Sequence, residues 1–291
     1  MAHTGTDVFV RLERFYDALP RDAALTEDIG GFVLFIRDGA GWPFYARPRI
    51  GAPTPSAADV TAVRQRQRDL GVPETFEWVH ETTPDLLAVA RSAGLDVLLA
   101  PLLVLETAAL VPDLPVAGAT IRLLDPDAPG FAADLAAGRA VANLGFGAPA
   151  DQTPMESVGA AGLVMEVAGP AERDAVPAPS EEAVEAARAL AGSGRFVTAV
   201  VESSTEGILA SGILQSVGDV GEIAGVATLP SARRRGYASQ LTATLARDGL
   251  QHGLDLIFLS SASDDVARMY TKVGFRRLGT ACIAEPAAAA L

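Results

Sequence analysis

The sequence predicts a mixed α/β fold assembled as two domains. Three observations predict it. The chain has 291 residues, enough for one large domain or two modest ones. Apolar residues make up 49% of it and charged residues 20%, so it can bury a core. Short apolar runs alternate with amphipathic stretches, and after residue 120 three strand-like runs lead into a helix–strand–helix–strand series. That order requires antiparallel hairpins feeding a strand–helix–strand crossover.

Within the first 117 residues, Gly31–Arg37, Pro43–Ala46, Thr75–His80 and Val97–Leu105 read as strands. Between them, Ala57–Leu70 places Val60, Val63 and Leu70 on one side of a helix, and Pro84–Ala93 is a second helical stretch. Thr54-Pro55-Ser56 and Thr83-Pro84 supply starts for these helices, and Gly71 and Gly94 supply stops. Pro112, Pro115 and Gly118 mark Val111–Ala119 as a linker. The expected domains are therefore residues 1–117 and 118–291.

After the linker come a strand at Thr120–Leu124 and a helix from about Pro129 to Ala142. Gly145–Pro179, rich in Gly, Pro and Ala around the apolar run Gly162–Val167, reads as an insertion or surface loop. Ser180-Glu181-Glu182 opens a helix to Ala191, because a serine cap and acidic first-turn residues suit the helix dipole. Phe196–Glu202, Ile208–Val217 and Glu222–Thr228 follow as strands. A helix after Gly236 shares Ala238, Leu241 and Leu245 on one face. Leu254–Leu259, Asp264–Val273 and Phe275–Ile283 complete the chain as strand, helix and strand.

Composition removes several function classes. One cysteine, Cys282, leaves no intramolecular disulfide and no cysteine-cluster metal site, and His3, His80 and His252 lie far apart, so no metal is expected. The net charge is −13, with one lysine, Lys272, among 23 basic residues. Such a field disfavours nucleic acid and favours neutral or cationic partners, and it also serves solubility. Leu95–Leu105 is interrupted by Asp96 and too short for a membrane helix, and Met1–Arg14 lacks a signal-peptide core. The expectation is a soluble cytoplasmic protein, and its arginine-over-lysine bias suggests a GC-rich bacterial genome.

Chemistry concentrates in Glu222-Ile-Ala-Gly-Val-Ala-Thr-Leu-Pro-Ser-Ala-Arg233-Arg-Arg-Gly236-Tyr-Ala238. A strand ends at Leu229-Pro230, a polar loop follows, and a helix begins near Gly236. The free amides and positive dipole end of that helix stand beside three guanidinium groups, with Gly236 and Ala238 allowing close backbone approach. Such an arrangement is a pyrophosphate cradle. A nucleotide-triphosphate loop would need a lysine after its second glycine, and a dinucleotide fingerprint would need three spaced glycines. Neither is present.

Arg233-Arg-Arg-Gly236-Tyr-Ala238 resembles the Arg/Gln-x-x-Gly-x-Gly/Ala signature of the GNAT superfamily, the acetyl-CoA-dependent N-acetyltransferases. Downstream, Ser263-Asp-Asp-Val266-Ala-Arg-Met-Tyr270-Thr-Lys-Val-Gly274-Phe275 is similar to that family's second motif, departing from it at Ser263, where Asn is usual, and at Val266. The resemblance implies the GNAT-type fold, acetyl-CoA as co-substrate, and an amine-bearing small molecule or peptide as acceptor. It implies that Val226, Ala227 and Thr228 lie on a splayed central strand that pairs with the pantetheine arm. Arg233, Arg234, Arg235, Gly236, Tyr237, Ala238 and Ser239 would bind the pyrophosphate, and Ser263 would contribute a polar contact. Glu222, fourteen residues before Gly236, would act as general base, and Tyr270 as general acid. Each has a plainer alternative: an exposed strand residue for Glu222 and a core aromatic for Tyr270.

Offsetting the chain by 180 residues lays Gly94-Leu95 upon Gly274-Phe275, and Thr75–Leu105 then follows the strand–helix–strand order of Asp255–Glu285. The N-terminal domain thus resembles a degenerate GNAT domain, with Ala90 where Tyr270 stands and no cradle signature. Such a domain would wall a substrate cleft or bury an interface, and the Gly41-Trp42-Pro-Phe-Tyr45 cluster would line that cleft or fill a core. A non-catalytic acyl-CoA sensor and a partner-binding protein remain alternatives to the enzyme. The sequence leaves a homodimer open and points to no nucleic acid or membrane partner.

Overall fold

The computed structural model describes residues 5–39, 44–147 and 168–287, and the chain divides into two compact units. The first takes the residues up to Val104, with Ser260–Ala267 and the residues from Arg277 onward. The second takes Leu105–Leu259 and Arg268–Arg276.

In the first unit, helix α1 (Gly5–Ala18) precedes strands β1 (Ala24–Ile29), β2 (Phe32–Arg37) and β3 (Ala46–Pro48). Helix α2 (Ala57–Leu70), β4 (Phe76–Val79), helix α3 (Leu86–Ser92) and β5 (Leu95–Leu105) follow. β1 and β2 form an antiparallel hairpin through Gly30, whose φ of +56° is the left-handed value a two-residue turn requires. β3 pairs antiparallel with β2 and parallel with β4. The far end of the chain completes this unit: in β11 (Phe275–Pro286), Ala281–Ala284 pair antiparallel with Val79–Phe76.

One face of the sheet buries Phe32, Leu34, Phe76, Trp78, Cys282 and Ala284 against Val60 and Val63 of α2 and Leu86 and Ala90 of α3. α1 buries Val8, Leu12, Phe15 and Tyr16, a helical i, i+4, i+7, i+8 stripe. Arg47 on β3 is only 2% exposed and is held by Glu13 of α1 at 3.0 Å and by the Tyr16 ring at 4.5 Å. The sequence reading assigned nothing to residues 5–29. The α1 stripe was legible there, whereas β1, Ala-Leu-Thr-Glu-Asp-Ile, is a charged edge strand without clean alternation.

The second unit contains β6 (Thr120–Leu123), α4 (Phe131–Phe146), a short α5 (Pro170–Ala175) and α6 (Glu181–Gly192). Then come β7 (Phe196–Ser203), β8 (Gly207–Val217), β9 (Val220–Thr228), α7 (Tyr237–Gln251), β10 (Leu256–Ser260) and α8 (Asp264–Val273), the last two shared with the first unit at their ends. Strand order in this unit is β10-β9-β8-β7-β6, with β9 and β10 parallel and the rest antiparallel. α7 buries Leu241, Leu245 and Ala246 on the sheet, and Gly212 of β8 makes room: a Cβ there would meet Leu241 Cδ2 at 2.6 Å. α5 falls in the stretch read as a loop. Its Arg173 has a role, since Nη1 donates to the Glu206 and Ile208 carbonyls at 2.7 and 2.6 Å and secures the β7–β8 turn. The apolar run Gly162–Val167 lies outside the described residues, as do Gly41, Trp42 and Pro43. Phe44 and Tyr45 pack edge-to-face at 6.5 Å, with Arg37 over the Phe44 ring.

Two stretches of the chain repeat one order. β1-β2-β3-α2-β4-α3-β5 and β7-β8-β9-α7-β10-α8-β11 match element for element, each with two antiparallel pairs and then a parallel crossover.

Candidate functional site

The chemistry-bearing residues of the second unit gather around β9. It pairs in parallel with β10 only as far as Glu222↔Phe258, so Ile223–Thr228 leave that neighbour. On its other side the register with β8 jumps from Ile213↔Ala224 to Ser211↔Ala227, a bulge at Gly225 and Val226 with Gly225 at φ +62°. The strand carrying Val226, Ala227 and Thr228 therefore separates from β10 and presents backbone that β10 does not use. α4 closes over this stretch: a Cβ on Gly145 would meet Ala227 Cβ at 2.9 Å and the Thr228 carbonyl at 3.3 Å.

Past Leu229, a 3-10 turn (Pro230–Ala232) leads into Arg233–Gly236. Arg234 has φ +67°, the one non-glycine left-handed residue among those described, and Gly236 has φ +82°. A side chain at αL costs roughly 1–2 kcal/mol, and successive left- and right-handed residues form the amide concavity that binds anions. Gly236 caps α7, and Gln240 N–H makes the return bond to the Gly236 carbonyl at 3.2 Å. The amides of Tyr237, Ala238 and Ser239 thus precede the helical ladder. Nothing lies within 4 Å of a Cβ built on Gly236, so the space beside this residue is open.

The guanidinium groups are used differently from one another. Arg233 Nη2 donates to the Gly145 carbonyl at 2.8 Å, tying the loop to α4. Arg235 reaches Glu206 at 3.4 Å and the Ser231 carbonyl at 3.3 Å. Arg233, Arg234 and Arg235 are all exposed.

Glu222 stands where β9 leaves β10 and is 8% exposed, a burial that rules out the exposed-strand alternative. Gln215, its cross-strand partner on β8, donates from Nε2 to Glu222 Oε2 at 2.7 Å. Tyr270 on α8 is 6% exposed, with its ring edge-to-face to Phe275 at 6.3 Å. Burial pushes its phenol up to about 12, so it stays protonated at neutral pH. Ser263 belongs to the first unit, before α8, where its Oγ accepts the Val266 N–H at 3.4 Å. The sequence reading missed Gln215 and Gly145. No motif flags them, because strand register and helix packing bring them to β9.

The corresponding helix start in the first unit is closed. Ser56 caps α2 and receives the Asp59 N–H, while Asp59 Oδ2 accepts the Ser56 N–H at 2.8 Å. A carboxylate of the chain itself occupies the place an anion would take. Ala90 is buried in the core. Among the described residues no group of three His, Cys, Asp or Glu side chains could hold a metal, and no helix is long and apolar enough to cross a membrane.

Residues 198–283 match the FR47-like protein family. A GCN5-related N-acetyltransferase from Kribbella flavida superposes with a TM-score of 0.67 at 20% identity, covering 97% of this chain and 96% of that one. This chain has the GNAT fold. A GCN5-related N-acetyltransferase-like protein from Streptococcus suis, at 12% identity, covers 97% and 99% of the two chains with a TM-score of 0.52. A tandem GNAT protein from the clavulanic acid biosynthesis pathway, at 16% identity, covers 90% and 80% with a TM-score of 0.51. Among curated proteins, none matches the chain in sequence. The resemblance read from Arg233–Ala238 and Ser263–Phe275 thus holds at the level of the fold, and the repeated element order of the two units accords with a tandem GNAT.

Proposed function

We propose that the protein is an acyltransferase that moves an acetyl group from acetyl-CoA to a primary amine of a small molecule or peptide, by direct attack with both substrates bound. The observation that carries this reading is the separation of β9 from β10 directly before an open, left-handed loop that starts α7. The residues fit the cofactor. Backbone of Val226–Thr228 would pair with its pantetheine arm, and the amides of Arg233–Ser239 would meet its pyrophosphate. When bound, acetyl-CoA supplies an activated thioester.

The chain's residues have three tasks. An amide near Val226 would donate to the thioester oxygen as it gains charge. Glu222, oriented by Gln215, would accept the proton the amine sheds, directly or through water. Tyr270, kept neutral by burial, would donate to the departing sulfur. Under this reading residues 118–291 form the catalytic domain and residues 1–117 a degenerate copy, which the self-capped α2 supports. Ser263 remains a proposed cofactor contact, and the setting proposed is a bacterial cytoplasm. An amine screen read by thiol release tests the reading. Acyl-amine product with stoichiometric thiol supports it, whereas tight acetyl-CoA binding without turnover on any amine would favour the sensor.

A further inference from the structure

The prolines of 111–117 mark a linker, yet within the second unit this segment lies along α7. Arg247 Nη2 donates to the Val111 carbonyl at 3.0 Å, Gln240 Oε1 accepts the Leu114 N–H at 3.3 Å, and Tyr237 Oη donates to the Ala117 carbonyl at 3.2 Å. At 3.6 residues per turn, positions 237, 240 and 247 lie within about 80° of one another, so one helix face makes all three bonds. The two run in opposite directions, the connector rising from 111 to 117 as its partners descend from 247 to 237. Ten helical residues span about 15 Å, and six residues of a proline-stiffened extended chain about 19 Å, so there is little slack.

The same segment grips the end of α8. Val111 N–H donates to the Val273 carbonyl at 3.1 Å, and Glu106 N–H donates to the Gly274 carbonyl at 3.0 Å. Gly274 has φ +120°, and a Cβ there would stand 2.6 Å from the Ala109 carbonyl oxygen. Glycine lets the connector pass this close to the helix that carries Tyr270.

We propose that residues 111–117 are a positioning strap for the cofactor helix, with Tyr237 and Gln240 as its positioning residues. The proposal rests on reading the first turn of α7 as the pyrophosphate site. Both residues stand in that turn and hold it by side chains that would not touch the ligand. Tyr237 is 2% exposed, so its ring stays in the core while its hydroxyl reaches the connector and also meets Arg235 of the preceding loop. Amides bind a pyrophosphate well only if they are already aimed at it, so fixing the turn should improve affinity for that part of the cofactor alone.

The test uses the full chain, the variants Tyr237→Phe and Gln240→Leu, and their combination, with steady-state kinetics on two acetyl donors. Acetyl-CoA carries the pyrophosphate, and S-acetylpantetheine has the same thioester without it. Each lost hydrogen bond is expected to raise KM for acetyl-CoA about fivefold, and the pair at least tenfold. For Gln240→Leu, which lies outside the proposed binding residues, KM for S-acetylpantetheine and kcat should stay within about twofold. Equal losses on both donors, or no loss on either, would overturn the strap. If the unmodified protein binds acetyl-CoA while the variants behave like it, the strap alone fails. If the unmodified protein binds none, the cofactor reading falls and the strap with it.

Discussion

Glu222 and Tyr270 carry the proposed chemistry, and both are buried polar groups with a nameable consequence. Glu222→Gln keeps the shape and the neighbouring Gln215 but removes the base. Turnover should drop by roughly 10²–10⁴ at neutral pH and recover in part as pH rises, because the amine then arrives deprotonated. A pH–rate profile identical to that of the unmodified protein would move the base elsewhere. Tyr270→Phe removes one hydroxyl, so turnover should fall with little change in acetyl-CoA affinity, and unchanged turnover would leave the ring as packing. Burial also pushes the Cys282 thiol up to about 12, as it does the Tyr270 phenol. Between pH 9 and pH 12 the native state therefore holds protons the unfolded chain has released. Stability should fall as pH rises through that window, and Tyr270→Phe with Cys282→Ala should flatten the decline in a denaturant titration. Glu222, Gly236 and Tyr270 could be nominated from the sequence because their spacing is local to a motif. Gln215 was not, since its closeness to Glu222 depends on the β8–β9 register.

At the scale of elements, local signals reported well. α2 runs over the expected Ala57–Leu70, with Ser56 capping it and Gly71 at φ +66° ending it, because cap chemistry is written in adjacent residues. Ser56→Ala should cost about 1 kcal/mol, read as a lower melting temperature. The β9 bulge was invisible: two residues facing one is a property of pairing, and Gly225 in the sequence could as well have marked a turn. The Glu13–Arg47 pair was equally hidden, joining residues 34 apart through α1, an element the sequence reading lacked. Glu13→Gln would leave the Arg47 charge buried without its partner, a loss of about 3–5 kcal/mol in chemical denaturation. A change under 1 kcal/mol would show that Glu77 compensates the Arg47 charge instead.

Across the whole molecule, the 180-residue offset anticipated a repeat of element order, although sequence identity between the halves is no better than chance. What it did not anticipate is that Ala281–Ala284 of β11 pair with β4 in the first unit. A fragment ending at residue 117 would leave that edge of β4 open, so tests of the first unit belong on the full chain. The repeat also sharpens the central claim. Two helix starts occupy equivalent places, α2 closed by Asp59 and α7 opened by Arg234 and Gly236. Under the proposed function only α7 would take a pyrophosphate. Calorimetric titration of the full chain with acetyl-CoA tests this most directly, with Gly236→Val beside it. The account predicts one site per chain and at least a tenfold weaker affinity in the variant, about 1.4 kcal/mol. Two equivalent sites, no binding, or an affinity indifferent to Gly236→Val would contradict it.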